Sequence, residues 1–148
     1  MKSFKAQTTH FEERVRESFS RQTLMMTIGA RITAVSPGEV VIELPFRDDL
    51  TQQHGYLHAG VVTSIADTAC GYAALSLMPE DADVLSVEYK INLLSPARGD
   101  RFIARAQVKR AGRNLTVCEA EVFATSGDEE KLVAAMLATM MAIRERRG

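Results

Sequence analysis

Two parts of the middle of the chain could act together on a carbonyl group. The first is the stretch from Gln52 to Gly60, which offers a side-chain amide and the start of a helix. The first N–H groups of a helix have no intrahelical acceptor, carry partial positive charge and favour a developing oxyanion. The second is Asp67, the one acidic or basic residue between His58 and Met78. A carboxylate there could attack a carbonyl or activate water.

The spacing of these groups restricts how they can cooperate. Ala59 and Asp67 are eight residues apart, which is about 12 Å along a helix at a rise of roughly 1.5 Å per residue. A nucleophile or base must approach the reacting atom to about 3 Å. If both groups serve one substrate, Asp67 must therefore come from a second copy of the chain. The sequence then predicts a two-fold dimer with the site at the subunit interface.

The residues from His58 to Met78 predict one long helix. The segment is apolar on nearly every side, which indicates a buried central helix, and Pro79 marks its end. A carboxylate in such a helix is costly to bury unless it has a partner. If Asp67 is only structural, Ser64 or Thr68 is the expected partner.

The flanking segments predict a layer of strands with one surface helix. Thr9 and Glu12 fit a capping box that begins an amphipathic helix over residues 9–22, with Arg14 facing solvent. The last segment, 131–143, is ambiguous, because its composition favours a helix whereas its place after three meandering strands favours a fourth. The predicted strands are residues 30–35 and 39–46, which form a hairpin, then 85–94, 101–110, 114–124 and 131–143.

Alternation assigns faces to two of these strands. In residues 101–110, Phe102, Ala104, Ala106 and Val108 point to one side. In residues 85–94 the alternation places Val87, Tyr89, Ile91 and Leu93 on one face and Ser86, Glu88, Lys90 and Asn92 on the other.

Composition excludes several classes of function. The 148 residues carry a formal net charge of −1, which indicates neither nucleic acid nor an anionic membrane surface as a partner. Two cysteines, Cys70 and Cys118, lie in apolar segments and are expected to be reduced core residues of a cytoplasmic protein. No signal peptide or membrane span is expected. We predict one domain over residues 1–148, with residues 1–24 as an N-terminal helical extension.

A motif at the helix start resembles a known family. The pattern Gly-x-Leu-His-x-Gly-(six residues)-Asp, from Gly55 to Asp67, is similar to that of the hotdog-fold acyl-CoA thioesterases of the phenylacetate-degradation (PaaI-like) group. Residues 85–97 and the basic corner at 109–114 are also similar to that family, and the resemblance covers roughly residues 25–145. It implies an α+β hotdog fold, an antiparallel sheet wrapped around a long central helix, and it favours a strand for 131–143.

The resemblance also implies roles for individual residues. Asp67 matches the catalytic carboxylate, while the Ala59 N–H and the Gln52 side chain match the groups that polarise the thioester carbonyl. His58 matches the motif histidine, and Ser86 matches a serine that positions water. The family commonly has glycine at the position of Ala59. The residues expected beside coenzyme A or the substrate are Gly60, Val87, Arg110, Arg113 and Asn114.

The function implied is hydrolysis of an acyl-CoA thioester to a free acid and coenzyme A, by a homodimer or homotetramer. No metal and no cofactor are expected, because coenzyme A is part of the substrate. Two alternatives remain open at this point. One is a non-catalytic acyl-CoA binding module on the same fold. The other is an acyl-thioester hydratase or dehydratase, for which His58 is the candidate second acid or base.

Overall fold

Six antiparallel strands form one sheet in the order β1-β2-β4-β5-β6-β3. The structure is a computed structural model and describes residues 3–144; the ends of the predicted domain, residues 1, 2 and 145–148, lie outside that range. The architecture confirms the predicted α+β class. The elements are α1 (Phe11–Ser20), α2 (Thr23–Ile28), β1 (Arg31–Ser36), β2 (Glu39–Pro45), a 3₁₀ turn (Asp48–Leu50), α3 (Ala59–Leu75), β3 (Ala82–Leu93), β4 (Arg101–Ala111), β5 (Leu115–Ser126) and β6 (Glu129–Arg144).

The predicted central helix is α3, and the sheet curves around it. It packs against β2, β3, β4, β5 and β6, and most of its side chains from Val62 to Leu75 are buried. The inward face of β4 consists of Phe102, Ala104, Ala106 and Val108, as the alternation predicts. The side of α3 that the sheet leaves partly uncovered carries Gly60, Ser64, Asp67 and Gly71. Asp67 therefore lies at the boundary of the core.

The N-terminal region differs from the prediction. The capping box at Thr9 is wrong, because α1 begins at Phe11 and its N-cap residue makes no side-chain capping hydrogen bond. Arg14 does not face solvent either, since its guanidinium donates to the carbonyl oxygens of Met78 and Ala82. A second helix, α2, follows α1 and was not predicted. Its six residues are too few to show a helical repeat in the sequence.

The last segment forms a strand, which confirms that prediction. β6 lies between β5 and β3 and pairs with both along most of its length. Its inward side chains, among them Met136 and Met140, are buried against α3. Pairing on both sides and burial override the helical preference of its alanine, leucine and methionine residues.

A bulge in β3 changes which residues share a face. Ser86 pairs with Met140 and Tyr89 pairs with Ala138, with the register shifting between Ser86 and Glu88. Met140 and Ala138 both point into the core, so Ser86 and Tyr89 lie on the same face of the sheet. The predicted separation of Ser86 from Tyr89 is wrong, because a bulge inserts one residue and resets the alternation.

Two features bear on the environment of the protein. Cys70 and Cys118 are free and completely buried, as expected for core residues. Within residues 3–144, no helix is both long enough and apolar enough to cross a membrane.

Candidate active site

His58 is the N-cap residue of α3. The Nδ1 atom of its ring accepts a hydrogen bond from the Gly60 N–H at 2.7 Å. Its backbone N–H donates to the Leu50 carbonyl at 2.9 Å. Because a backbone N–H can only donate, the Nδ1 atom of His58 is the acceptor and carries no hydrogen in this arrangement. The Ala59 N–H, the first of the helix, has no acceptor among the described residues. It is therefore the helix N–H that remains for a carbonyl oxygen.

Gly60 is required by this cap. A Cβ atom placed at Gly60 would lie 2.9 Å from Nδ1 of His58, which is closer than real Cβ contacts allow. The glycine lets the imidazole fold over the helix start. The sequence showed Gly60 only as a glycine of the motif and gave no indication that it makes room for the His58 ring.

The loop before the helix holds the Gln52 side chain in a fixed orientation. Its Oε1 accepts from the His54 N–H at 2.5 Å and from the Tyr56 N–H at 3.3 Å. The turn that brings these groups together includes Gly55, whose φ of 83° favours glycine. With the amide oxygen engaged in the loop, the Nε2 hydrogens are the part of Gln52 that can donate to a ligand.

Gln52 and Ala59 open onto the same cavity, which has a volume of about 420 Å³. We call it the Ala59 cavity. The residues that line it are Gln52, Tyr56, Leu57, Ala59, Val62, Leu93, Leu94, Ser95, Pro96, Ala97 and Val133.

Asp67 is hydrogen-bonded to β3. The Ser86 hydroxyl donates to Oδ1 of Asp67 at 2.7 Å, a contact that the bulge makes possible by turning Ser86 toward α3. The hydroxyls of Ser64 and Thr68 are engaged elsewhere, with the Gly60 carbonyl and with Gln22. Ser64 and Thr68, the partners expected for a purely structural Asp67, are therefore wrong, and the partner is Ser86.

Asp67 faces a second cavity of about 390 Å³, which we call the Asp67 groove. Burial raises the pKa of the Tyr72 hydroxyl on its wall, so this group stays protonated near neutral pH. Sequence reasoning missed most of the groove, because α1 contributes one wall through contacts distant along the chain. Its lining residues are Ser18, Arg21, Gln22, Asp67, Thr68, Gly71, Tyr72, Asp83, Val84, Leu85 and Ser86.

The Ala59 cavity and the Asp67 groove share no lining residue. Asp67 and Ala59 lie on one continuous helix, eight residues and about 12 Å apart. One chain therefore does not bring its own carboxylate and its own helix start to a single substrate carbonyl.

The remaining predicted contact residues, Val87, Arg110, Arg113 and Asn114, line neither cavity. Val87 is at the β3 bulge and is about half exposed. Arg110 is near the end of β4, and Arg113 and Asn114 are in the exposed turn that follows. Arg113 lines a recess with Leu77 and Pro79, at the opposite end of α3 from Ala59. Within one chain, these residues are not brought to the site.

Comparison with known proteins identifies the family. The family model of the thioesterase superfamily matches residues 54–131, which include His58, Asp67 and Ser86 but not Gln52. The crystal structure of a thioesterase family protein from Silicibacter pomeroyi is 51% identical, with a TM-score of 0.90, over 91% of this chain and 99% of that one. Human acyl-coenzyme A thioesterase 13 is 30% identical over 70% of this chain and 74% of its own length.

The chain belongs to the thioesterase superfamily. The PaaI protein of the Escherichia coli phenylacetic acid degradation operon has the same fold, with a TM-score of 0.81 at 23% identity over 90% of this chain and 93% of that one. The resemblance to the PaaI-like group and the hotdog fold it implied are both confirmed.

Proposed function

We propose that the protein is an acyl-CoA thioesterase whose two active sites each combine groups from both chains of a dimer. The observation that carries the proposal is the division of one helix between two cavities, with Ala59 opening onto one and Asp67 onto the other. The Ala59 N–H and the Gln52 amide of one chain polarise the thioester carbonyl. Asp67 of the other chain attacks that carbonyl or activates water.

The edge of the sheet supports association with a second copy. β3 is a terminal strand, so one row of its backbone N–H and C=O groups has no partner strand in the sheet. Three large apolar side chains on this strand, Leu85, Val87 and Leu93, are each more than half exposed. Strand pairing along β3 would satisfy these backbone groups and bring the exposed stripe of α3 toward its counterpart.

Further pairing of dimers into a tetramer also has support on the outer face of the sheet. Leu85, Met141 and Leu115 are direct neighbours on three adjacent strands. Each is at least one-third exposed. Light scattering in solution tests both association steps, and a monomer at working concentration would contradict the dimeric site.

The hydroxyl of Ser86 supports the role of Asp67. A hydrogen bond to a carboxylate is a strong one and fixes its orientation. With Oδ1 held by Ser86 at 2.7 Å, the other carboxylate oxygen remains for the reaction. His58 acts on the site indirectly, because its ring caps the helix whose first N–H polarises the carbonyl.

The test is thiol release from a panel of short, long and aromatic acyl-CoAs. We expect turnover by the wild type, and a loss of at least about a hundredfold in Asp67→Asn, the usual scale for loss of a general base. Asp128→Asn, in an exposed turn, is the matched control and should retain full activity. Near-normal turnover in Asp67→Asn would remove Asp67 from the mechanism. Binding of coenzyme A without thiol release would instead indicate a binding module.

A further inference from the structure

The Asp67 groove continues beyond the carboxylate along α1. A larger recess of about 820 Å³ shares Ser18, Arg21 and Asp83 with it and reaches the loop that follows α3. The groove and this recess adjoin along the shared residues, and we call the two together the channel. A thioester has two arms on its carbonyl carbon, the acyl group and the coenzyme arm, and cavities of about 390 and 820 Å³ have room for one of them.

Two hydrogen bonds hold α1 and the residues just after it against α3 and so fix the width of the channel. Ser18 Oγ and the Tyr72 hydroxyl are 3.1 Å apart, and the Thr68 hydroxyl donates to Gln22 Oε1 at 3.3 Å. The wall residues Ser18 and Gln22 lie outside the part of the chain that matches the family model. The N-terminal segment contributes this wall, ahead of the stretch that the family model covers.

Gly71 leaves the floor of the groove open. It lies one helical turn after Asp67 on the same side of α3 and lines the groove. A Cβ atom placed at Gly71 would meet no heavy atom within 4 Å. A helical side chain leans over the preceding turn, so a side chain at position 71 would project toward Asp67. The glycine thus keeps free the space next to the reacting carbonyl.

The charges along the channel indicate which arm it takes. Four carboxylates line its outer part, from Glu17, Glu80, Asp81 and Asp83, against three guanidinium groups, from Arg14, Arg21 and Arg144. This balance does not attract the phosphates of coenzyme A. The Ala59 cavity is lined by no charged side chain, so it does not repel those phosphates. The coenzyme arm therefore fits the side of the partner's Ala59 cavity, which leaves the channel for the acyl group.

Resting on the thioesterase function, we propose that the acyl group lies in the Asp67 groove and that Gly71 is a specificity-determining position that sets its maximum size. Because a Cβ atom at position 71 meets no neighbour within one chain, a larger residue there extends into this space. It then excludes large acyl groups while small ones still reach Asp67.

The test is a series of Gly71→Ala, Gly71→Val and Gly71→Leu, assayed with acetyl-, butyryl-, octanoyl- and phenylacetyl-CoA. We expect kcat/KM for octanoyl- and phenylacetyl-CoA to fall stepwise with side-chain size, by at least about tenfold relative to acetyl-CoA in Gly71→Leu, since single methylenes change discrimination by that order. Glu13→Leu, exposed on α1 and away from the groove, is the matched control with an unchanged profile. Circular dichroism verifies the fold of each variant.

Each result is decisive. An unchanged acyl profile in folded Gly71→Leu overturns the proposal, as does an equal loss for acetyl-CoA and the larger substrates. If Gly71→Leu does not fold, the same comparison is made with Gly71→Ala: kcat/KM for octanoyl- and phenylacetyl-CoA relative to that for acetyl-CoA. A wild type that hydrolyses no acyl-CoA contradicts the thioesterase function itself, and so is distinct from a wild type that is active while the series shows no size dependence.

Discussion

His58 and Gly60 form a unit in which each residue requires the other. The imidazole accepts the Gly60 N–H, and only glycine leaves room for the ring above that position. A side-chain acceptor at the N-cap satisfies one of the unpaired donors of the helix. Since Gly60 uses its N–H for the cap, the neighbouring Ala59 N–H is left for the substrate. In the proposed site, the motif thus determines which of the first helical N–H groups faces the carbonyl.

This arrangement predicts opposite effects for two alanine substitutions in α3. Gly60→Ala should displace the His58 ring and destabilise the protein by about 1 kcal/mol, the usual cost of losing an N-cap. Gly71→Ala adds a methyl group in open space within the same helix and should stabilise it by about 0.5–1 kcal/mol. Urea unfolding of both variants measures the two changes. A stabilising Gly60→Ala would show that the ring does not cap the helix.

At the scale of elements, Cys70 and Cys118 mark the contact of α3 with β5. The Cys118 thiol lies 3.5 Å from the Cys70 carbonyl oxygen. Burial raises the pKa of Cys118 from 9.0 to about 12 and also raises that of Cys70, with the nearby Cys118 and Asp67 as smaller causes. Both thiols therefore remain protonated and unreactive in the folded protein at neutral pH.

The raised thiol pKa values predict a loss of stability in alkali. Above pH 9.0 the unfolded chain releases the Cys118 proton while the folded protein keeps it up to about pH 12. Unfolding then releases protons, so the free energy of unfolding falls as pH rises through this window. Between about pH 8 and pH 10.5, Cys118→Ala should lose about 1–2 kcal/mol less than the wild type in urea unfolding. Equal losses in the two proteins would mean that the thiol is not protected by the core.

Sequence patterns predicted the helices and strands well where an element is buried on one face only, as in β4, or on nearly every side, as in α3. The central helix and β4 followed from apolar pattern alone, whereas β6 required its place after three strands together with the family resemblance. The β3 bulge could not be predicted, because alternation has no local signal for one inserted residue. The partner of Asp67 was missed for the same reason, since the bulge is what turns Ser86 toward it.

The Asp67 groove could not be predicted from the sequence for a different reason. It joins the end of α1 to the middle of α3 and the start of β3, three segments distant along the chain. Such contacts are fixed by tertiary packing rather than by local pattern. The eight-residue spacing of Ala59 and Asp67, by contrast, needed only the rise of a helix, and α3 preserves it.

At the scale of the whole molecule, the shared site can be tested by combining defective chains. The experiment is to co-express Asp67→Asn and Gln52→Ala chains with different tags and to isolate the mixed dimer. If each site takes Asp67 from one chain and Gln52 from the other, one of its two sites is fully wild type. The mixed dimer should then hydrolyse acyl-CoA far faster than either parent dimer.

The matched control places both substitutions on one chain and pairs it with a wild-type chain. Each shared site then lacks one group, and we expect little activity. A site built within a single chain gives the reverse result, because the wild-type chain keeps its own site intact. The pair of mixed dimers therefore separates the two arrangements through activity alone.

The attachment of α1 has a consequence for how this protein and its relatives diverge. The wall that α1 adds to the groove is held to α3 by side-chain hydrogen bonds from Ser18 and Gln22, outside the packed centre of the fold. Substitutions there leave the sheet, the helix start and the carboxylate unchanged. With the acyl group placed in this groove as proposed, changes in a surface helix can alter acyl preference with little penalty for folding, while the groups around Asp67 and Ala59 stay as they are.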